Sequence, residues 1–256
     1  MVARFGKQRS MASCRCDPGA IPWDKRAFTS MSETQLIGAG LYSLTEAFRL
    51  TGIPTQRIRR WVEGYAFTDR GRRRWSEPIV RSTLGRSTGS LALSFADLIE
   101  IRVLDFFLAS GCSWQEIRAS AEGARVLLGT THPFSTRQFR TDGKRILADL
   151  GDQSLLRVAT GQWEASGLVR HALKGVEYED DRPNEWWPMS KRKLVLLDPK
   201  RAFGAPIVSL GAVPTAILAA SAKAEGSALI ASRLFEVPLR AVRRAVEFET
   251  QYLAAA

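Results

Sequence analysis

The chain has 256 residues, 37 of them Lys or Arg against 26 Asp or Glu, for a formal charge of +11 at pH 7. A sequence pI near 10.1 points to a polyanionic partner whose binding weakens steeply with salt. No run of about 18 apolar residues occurs, which excludes a membrane-spanning helix, and no secretory leader pattern opens the sequence, so a cytoplasmic protein is expected.

With 45% apolar residues the chain has enough apolar side chains for a real core, in two small domains or in one with appendages. Cys14, Cys16 and Cys112 are odd in number, and Cys14-x-Cys16 has no second pair at metal-ligand spacing. Thiols are expected, not a disulfide framework or a metal site.

Residues 1–37 mix Arg, Ser, Gly and Pro without period and read as a disordered arm, with a basic arm entering a minor groove as the functional alternative. Met1, Met11 and Met31 are all candidate starts. From Tyr42 the pattern sharpens. Ser43 followed three residues later by Glu46 is a capping box, and Leu44, Ala47 and Leu50 then fall on one helix face. Gly52 supplies a tight turn, and Pro54 fixes φ where a second helix must begin. On that helix Ile58, Trp61 and Val62 face inward, leaving Thr55, Gln56, Arg57, Arg59 and Arg60 outside. Side chains of that kind fit the major groove. Residues 41–90 hold ten arginines against Glu46, Glu63, Asp69 and Glu77.

The two helices resemble those of the MerR-like winged helix-turn-helix through Leu44-Thr45-Glu46, Leu50-Thr51-Gly52-Ile53 and Arg57-Ile58-Arg59-Arg60-Trp61. The resemblance implies a basic wing, for which Arg72, Arg73 and Arg74 are the candidates. Residues 81–90 read as a flexible loop. Ser94 and Asp97 start another helix running to Ala109, apolar around most of its circumference and therefore buried in a core or at a dimer interface. Ser113 and Glu116 start the next, with Ile117, Ala121 and Ala124 inward. Residues 94–120 again resemble the second helical pair of MerR-like domains, so the likeness covers roughly residues 41–128. No dimerising coiled coil follows, and the effector chemistry of metal- and drug-sensing members is not carried over.

The middle of the chain changes period. Residues 134–141 and 144–150 flank Asp142-Gly143 as a hairpin, residues 154–162 form a short helix, and residues 169–178 and 191–197 are strands joined by a turn at Asp180-Asp181-Arg182-Pro183-Asn184. Trp186 and Trp187 are packing aromatics. The C-terminal piece reads as three short helices, from Val213 to Glu225 with Val213, Ile217, Leu218, Ala220 and Ala224 inward, from Ala228 to Phe235, and from Pro238 to Leu253.

That piece resembles a trihelical "domain of unknown function" family of antitoxins through Phe203-Gly204-Ala205-Pro206-Ile207-Val208, Gly211-Ala212-Val213-Pro214-Thr215, Glu225-Gly226-Ser227 and Val237-Pro238. In that family the partners are commonly PIN-like ribonucleases. Joined to the N-terminal module, the pattern resembles a large VapB-type antitoxin. The resemblance implies an autorepressor that binds double-stranded operator DNA and neutralises a ribonuclease toxin, with Arg233, Arg240, Arg243 and Arg244 sharing a basic face toward the toxin's acidic site.

The expected fold is α+β, mainly α: a disordered arm (1–37), a MerR-like DNA-binding domain (38–129), a β-containing middle segment (130–197) and a C-terminal three-helix bundle (198–256). DNA contacts are expected from Thr55, Gln56, Arg57, Arg59, Arg60, Arg72, Arg73 and Arg74, in a homodimer built partly on the helix from Phe95 to Ala109. Catalytic machinery is thin. His132 and His171 have no partner nearby in sequence, no phosphate-loop motif occurs, and Glu177, Glu179, Asp180 and Asp181 stand in a hydrophilic turn. The chain reads as a non-enzyme without metal or cofactor. A MerR-like regulator responding to a small ligand in the middle segment, with no toxin partner, is the alternative; an RNA-binding or ribonuclease-associated structural protein is the third.

Overall fold

Three Ser-x-x-Asp/Glu spacings set the starts of the helices that shape the N-terminal half. In the computed structural model, which describes residues 38–87, 90–141, 172–189 and 193–253, each forms a complete capping box. The Ser43 amide donates to Glu46 Oε2 at 2.8 Å, starting α1 (Leu44–Thr51). Ser94 and Asp97 start α3 (Phe95–Ala109), and Ser113 and Glu116 start α4 (Trp114–Leu128). Between them, α2 (Thr55–Glu63) follows Pro54 and has no side-chain cap at all.

Strands brace these helices. β1 (Tyr42–Ser43) pairs antiparallel with β5 (Ser90–Leu93), which also pairs with β4 (Arg86–Ser87). A separate hairpin leaves the end of α2, with β2 (Tyr65–Asp69) against β3 (Arg72–Ser76). Its two-residue loop, Arg70-Gly71, has φ of 47° and 76°, the doubly left-handed loop whose twist suits a tight hairpin. Gly64 allows the hairpin to start where it does. At φ 75°, a Cβ there would lie 2.5 Å from the Ser76 carbonyl oxygen and 2.8 Å from the Trp75 ring.

Further along, β6 (Val176–Glu179) pairs with β7 (Arg182–Trp186), and β8 (Val195–Leu196) with β9 (Ile207–Val208), all antiparallel. Three helices close the described chain: α5 (Thr215–Ala224), α6 (Ala228–Leu234) and α7 (Leu239–Leu253).

Two main cores result. The larger is aromatic, joining Tyr42, Trp61, Phe95, Phe107, Phe134 and Phe139 with contributions from Val176, Trp186, Val195 and Phe248. The smaller holds the last three helices together through Leu218, Ala231, Val237, Ala241, Val242 and Ala245. Fully burying one Leu or Phe contributes about 1.5–3 kcal/mol, so the aromatic core carries most of the apolar stabilisation. The N-terminal strand is tied to the later chain by Tyr42, whose hydroxyl donates to the Gly204 carbonyl at 2.8 Å. A Cβ at Gly204, where φ is 85°, would come within 2.3 Å of that hydroxyl.

The α+β class with a predominance of helix is observed, and several local expectations are corrected. Residues 81–90 hold strand β4 and the first residue of β5, with Leu84 buried. Pro133–Ser135 is a 3-10 turn and residues 137–141 are helical where a strand was expected, because the apolar pair Phe134 and Phe139 packs into the aromatic core at a five-residue spacing that alternation does not describe. The turn at 180–184 shrinks to Asp180-Asp181, and Arg182, Pro183 and Asn184 are strand. Residues 172–175 are helix and turn instead of strand.

On α5, Ile217, Ala220 and Ala224 point outward while Thr215 and Leu218 are buried. The inner face is rotated because Thr215 satisfies its hydroxyl on Pro206 O at 3.2 Å and on Glu249, which lets a polar residue occupy a core position. The apolar helix α3 packs inside its own chain: Phe95, Leu98, Ile99, Ile101, Val103, Leu104 and Phe107 are all buried, so that face is not a dimer seam. Trp186 and Trp187 are buried as packing aromatics. The expected arm, the Asp142-Gly143 hairpin turn, the helix at 154–162, His171, Cys14 and Cys16 lie outside the described residues.

Candidate functional site

The uncapped start of α2 is exposed, as is the β2–β3 hairpin that follows it. Ile58, Trp61 and Val62 bury its inner face, while Thr55, Gln56, Arg57, Arg59 and Arg60 are all exposed. No acidic residue stands in its first turn. The amides of Arg57 and Ile58 are both satisfied by the Pro54 carbonyl. A helix start with no side-chain cap and no carboxylate in its first turn favours an anion.

The arginines differ in how they are held. Arg57 Nη1 lies 3.0 Å from Asp105 Oδ1 on α3, with both side chains partly solvated. Arg59 is 3.9 Å from Glu63. Arg60 stacks over the Tyr65 ring, 5.3 Å from its centroid. On the hairpin, Arg72, Arg73 and Arg74 are exposed, and Arg74 pairs with Asp69 at 3.1 Å. Exposed pairs of this kind contribute about 0–1 kcal/mol, so a phosphate can replace the carboxylate at little cost.

Behind this surface lies a buried ionic network that the sequence spacing concealed. His132 does have a partner, Asp97, thirty-five residues earlier: Nε2 is 2.6 Å from Asp97 Oδ1. Asp97 Oδ2 accepts from the Ser94 amide at 2.8 Å and from Ser82 Oγ at 2.9 Å. His132 Nδ1 meets Thr131 Oγ1 at 2.9 Å. Asp97 is fully buried and His132 nearly so. Ser82 bonds the aspartate and not the histidine, so no nucleophile is activated and the arrangement is not a hydrolytic triad.

Burial by itself would lower the pKa of His132, but the hydrogen bond and charge of Asp97 and the charge of Glu100 outweigh it and raise the value. Glu100 sits one turn along α3 from Asp97 and is pushed up to about 7 by burial, against the lowering influence of His132, Arg125 and the Ser135 amide. Arg125 bonds the Ile79 carbonyl and, at 2.9 Å, Glu122. The only local sign of this network is the Ser94/Asp97 spacing. The aspartate that caps α3 is also the one that receives the histidine.

The C-terminal candidates are placed unevenly. Arg233, Arg240 and Arg243 are exposed. Arg244 is not available in the same way: its side chain is 20% exposed and pairs with Glu247 one turn on. Arg243 and Lys223 line a groove of about 300 Å³ together with Ala219, Ala222 and Gly226. In the middle segment, Glu177 pairs with Lys193 and Glu179 with Lys200, and Asp181 accepts from the Gln138 amide at 2.7 Å. Those carboxylates are spent on structure. No group of three His, Cys, Asp or Glu suited to a metal ion occurs among the described residues, and no described helix is long and apolar enough to cross a membrane.

No protein-family model matches the chain. A Mycobacterium tuberculosis protein named "Putative antitoxin VapB45" is 29% identical over 187 residues, spanning 65% of this chain and 76% of that relative. The fold is shared with a crystal structure of Rv2018 from Mycobacterium tuberculosis, which superimposes with a TM-score of 0.65 at 24% identity, over 82% of this chain and 99% of that one. The chain thus has a protein named as a putative antitoxin among its distant relatives and the fold of a mycobacterial protein over most of its length.

Proposed function

We propose that the protein is the antitoxin of a toxin-antitoxin pair, that it binds operator DNA through a winged helix-turn-helix of MerR-like type to repress its own operon, and that its C-terminal helices neutralise a PIN-like ribonuclease. It is not an enzyme in this reading. The observation that carries the DNA part is α2: an uncapped helix start without a first-turn acid, five exposed polar side chains from Thr55 to Arg60, and a basic hairpin on the same module. Thr55 and Gln56 reach base edges at the helix N-terminus, Arg57, Arg59 and Arg60 contact bases and phosphates, and Arg72, Arg73 and Arg74 track the neighbouring backbone as a wing.

The toxin part is supported by the antitoxin relative and by the exposed cations Arg233, Arg240 and Arg243 on the three-helix bundle. Guanidinium groups bind carboxylates bidentately, which suits a ribonuclease site that gathers acids around a metal. Residues 38–129 and 198–256 are then functional divisions for DNA and toxin, with 130–197 as the support between them. Two copies on a palindromic operator complete the reading, with a seam other than the buried face of α3.

The test is electrophoretic mobility shift of the protein's own promoter fragment together with RNA cleavage by the ribonuclease encoded beside it. Sequence-specific retardation and stoichiometric inhibition are expected. A protein that does neither would end the proposal.

A further inference from the structure

Between α2, the β2–β3 hairpin and the start of α4 lies a cavity of about 220 Å³ that shares only Arg60 with the proposed DNA surface. Four aromatic rings line it, from Trp61, Tyr65, Phe67 and Trp114, and its two charged side chains are both cations, Arg60 and Arg118. No carboxylate lines it. Arg118 Nη2 is fixed by Ser76 Oγ at 3.2 Å, Trp61 and Trp114 meet edge to face at 5.4 Å, and Tyr65 and Phe67 tilt together at 6.0 Å. The cavity is therefore built from three elements, with its rings held by one another and one guanidinium already oriented.

That lining selects for charge and shape. Elsewhere on this face the arginines borrow nearby acids, as Arg57 does from Asp105 and Arg74 from Asp69; neither Arg60 nor Arg118 forms an ion pair among the described residues. Guanidinium groups facing aromatic walls bind a carboxylate while the rings stack on whatever plane carries it. The volume lies below the range of drug-sized ligand pockets, so the occupant has one or two rings. We propose that this cavity is a binding site for a small planar aromatic carboxylate. Because Arg60 belongs to α2 and Tyr65, Phe67 and Ser76 to the hairpin, an occupant fixes the angle between helix and hairpin. Only the effect of that angle on DNA binding rests on the DNA reading.

Binding is tested on the full chain without DNA, so its failure and the failure of DNA recognition are separate results. The probe is 1-naphthoate, titrated by calorimetry beside neutral 1-naphthamide and inorganic phosphate. Saturable one-site binding of the carboxylate is expected, with the amide and phosphate each at least tenfold weaker. Gln115→Glu puts a carboxylate on the cavity wall at an exposed first-turn position of α4, where an acid favours the helix. This variant should keep its melting temperature and lose at least tenfold in naphthoate affinity, as should Arg118→Ala. Absent binding at millimolar probe, equal binding of the amide or of phosphate, or unchanged affinity in a folded Gln115→Glu variant would each overturn the assignment.

Discussion

The two main cores of this chain are built from different materials. The larger, under α1 to α4, is aromatic and encloses Asp97, Glu100, Arg125 and His132. The smaller, among α5, α6 and α7, is made of Ala, Val and Leu and encloses no ionic group of that kind among the described residues. Their surfaces differ too. Over the first, Arg60, Arg72 and Arg73 are exposed, while Arg57, Arg59 and Arg74 form only solvated pairs with Asp105, Glu63 and Asp69. On α7, Glu247 follows Arg244 within one turn and neutralises it. The same residue type therefore does different things in the two regions. An arginine reads a partner only where its neighbours leave it solvated, and a buried ion makes its region answer to pH.

The largest expected effect separates the two surfaces. Replacing Arg57, Arg59 and Arg60 together with Ala should lower operator affinity by at least about a hundredfold, since each arginine reading a base is worth about 1–3 kcal/mol. The salt slope should become shallower by about 2.7 if all three neutralise phosphates. Fluorescence anisotropy across a salt series measures both. An unchanged slope would move the DNA surface elsewhere.

Next in size is the buried pair. His132→Ala leaves the buried Asp97 charge without its ionic partner, held only by the Ser94 amide and the Ser82 hydroxyl, which costs about 3–5 kcal/mol. Urea unfolding should show the loss. A change below about 1 kcal/mol would mean that the network does not hold α3 against the segment after α4.

The third prediction concerns pH. Glu100 titrates at about 7 in the folded chain and near 4.3 when unfolded, so its neutral form is the stable one. Its contribution is fully present below the unfolded value and is lost as pH rises through about 7, a change on the order of 3 kcal/mol. His132, also raised, acts in the same direction above its unfolded value near 6.5. Stability should therefore fall from about pH 4 to 7 through Glu100, with His132 extending the fall above about pH 6.5, and Glu100→Gln should remove the larger part of the slope below about pH 7. An identical slope in that variant would refute the assignment. The alanine-rich core predicts no comparable dependence.

The smallest effect tests the second surface. Arg240→Ala with Arg243→Ala should weaken toxin inhibition by about 1–2 kcal/mol, the scale of exposed charge pairs with modest packing. Operator affinity should not change. If it falls instead, α7 belongs to the DNA surface.

How much of this was legible in the sequence follows from the range of each interaction. Helix starts at Ser43, Ser94 and Ser113 were readable because a capping box lies within four residues. The outward face of α2 was readable because Ile58, Trp61 and Val62 leave little choice of inner side. Strand assignments failed where tertiary contacts decide, as at Phe134 and Phe139, which serve one core from irregular chain. The His132–Asp97 pair spans thirty-five residues, and the cavity beside Arg118 joins residues 60 to 118. Neither has a local spacing to announce it.

The most direct test of the account measures DNA binding and toxin inhibition on the same two proteins. The Arg57, Arg59 and Arg60 triple alanine variant should lose operator binding and inhibit the ribonuclease as the unaltered chain does. The Arg240 and Arg243 double variant should bind operator normally and inhibit less. If both variants, folded to the same melting temperature, lose both activities together or keep both, the division of labour between the two surfaces is contradicted.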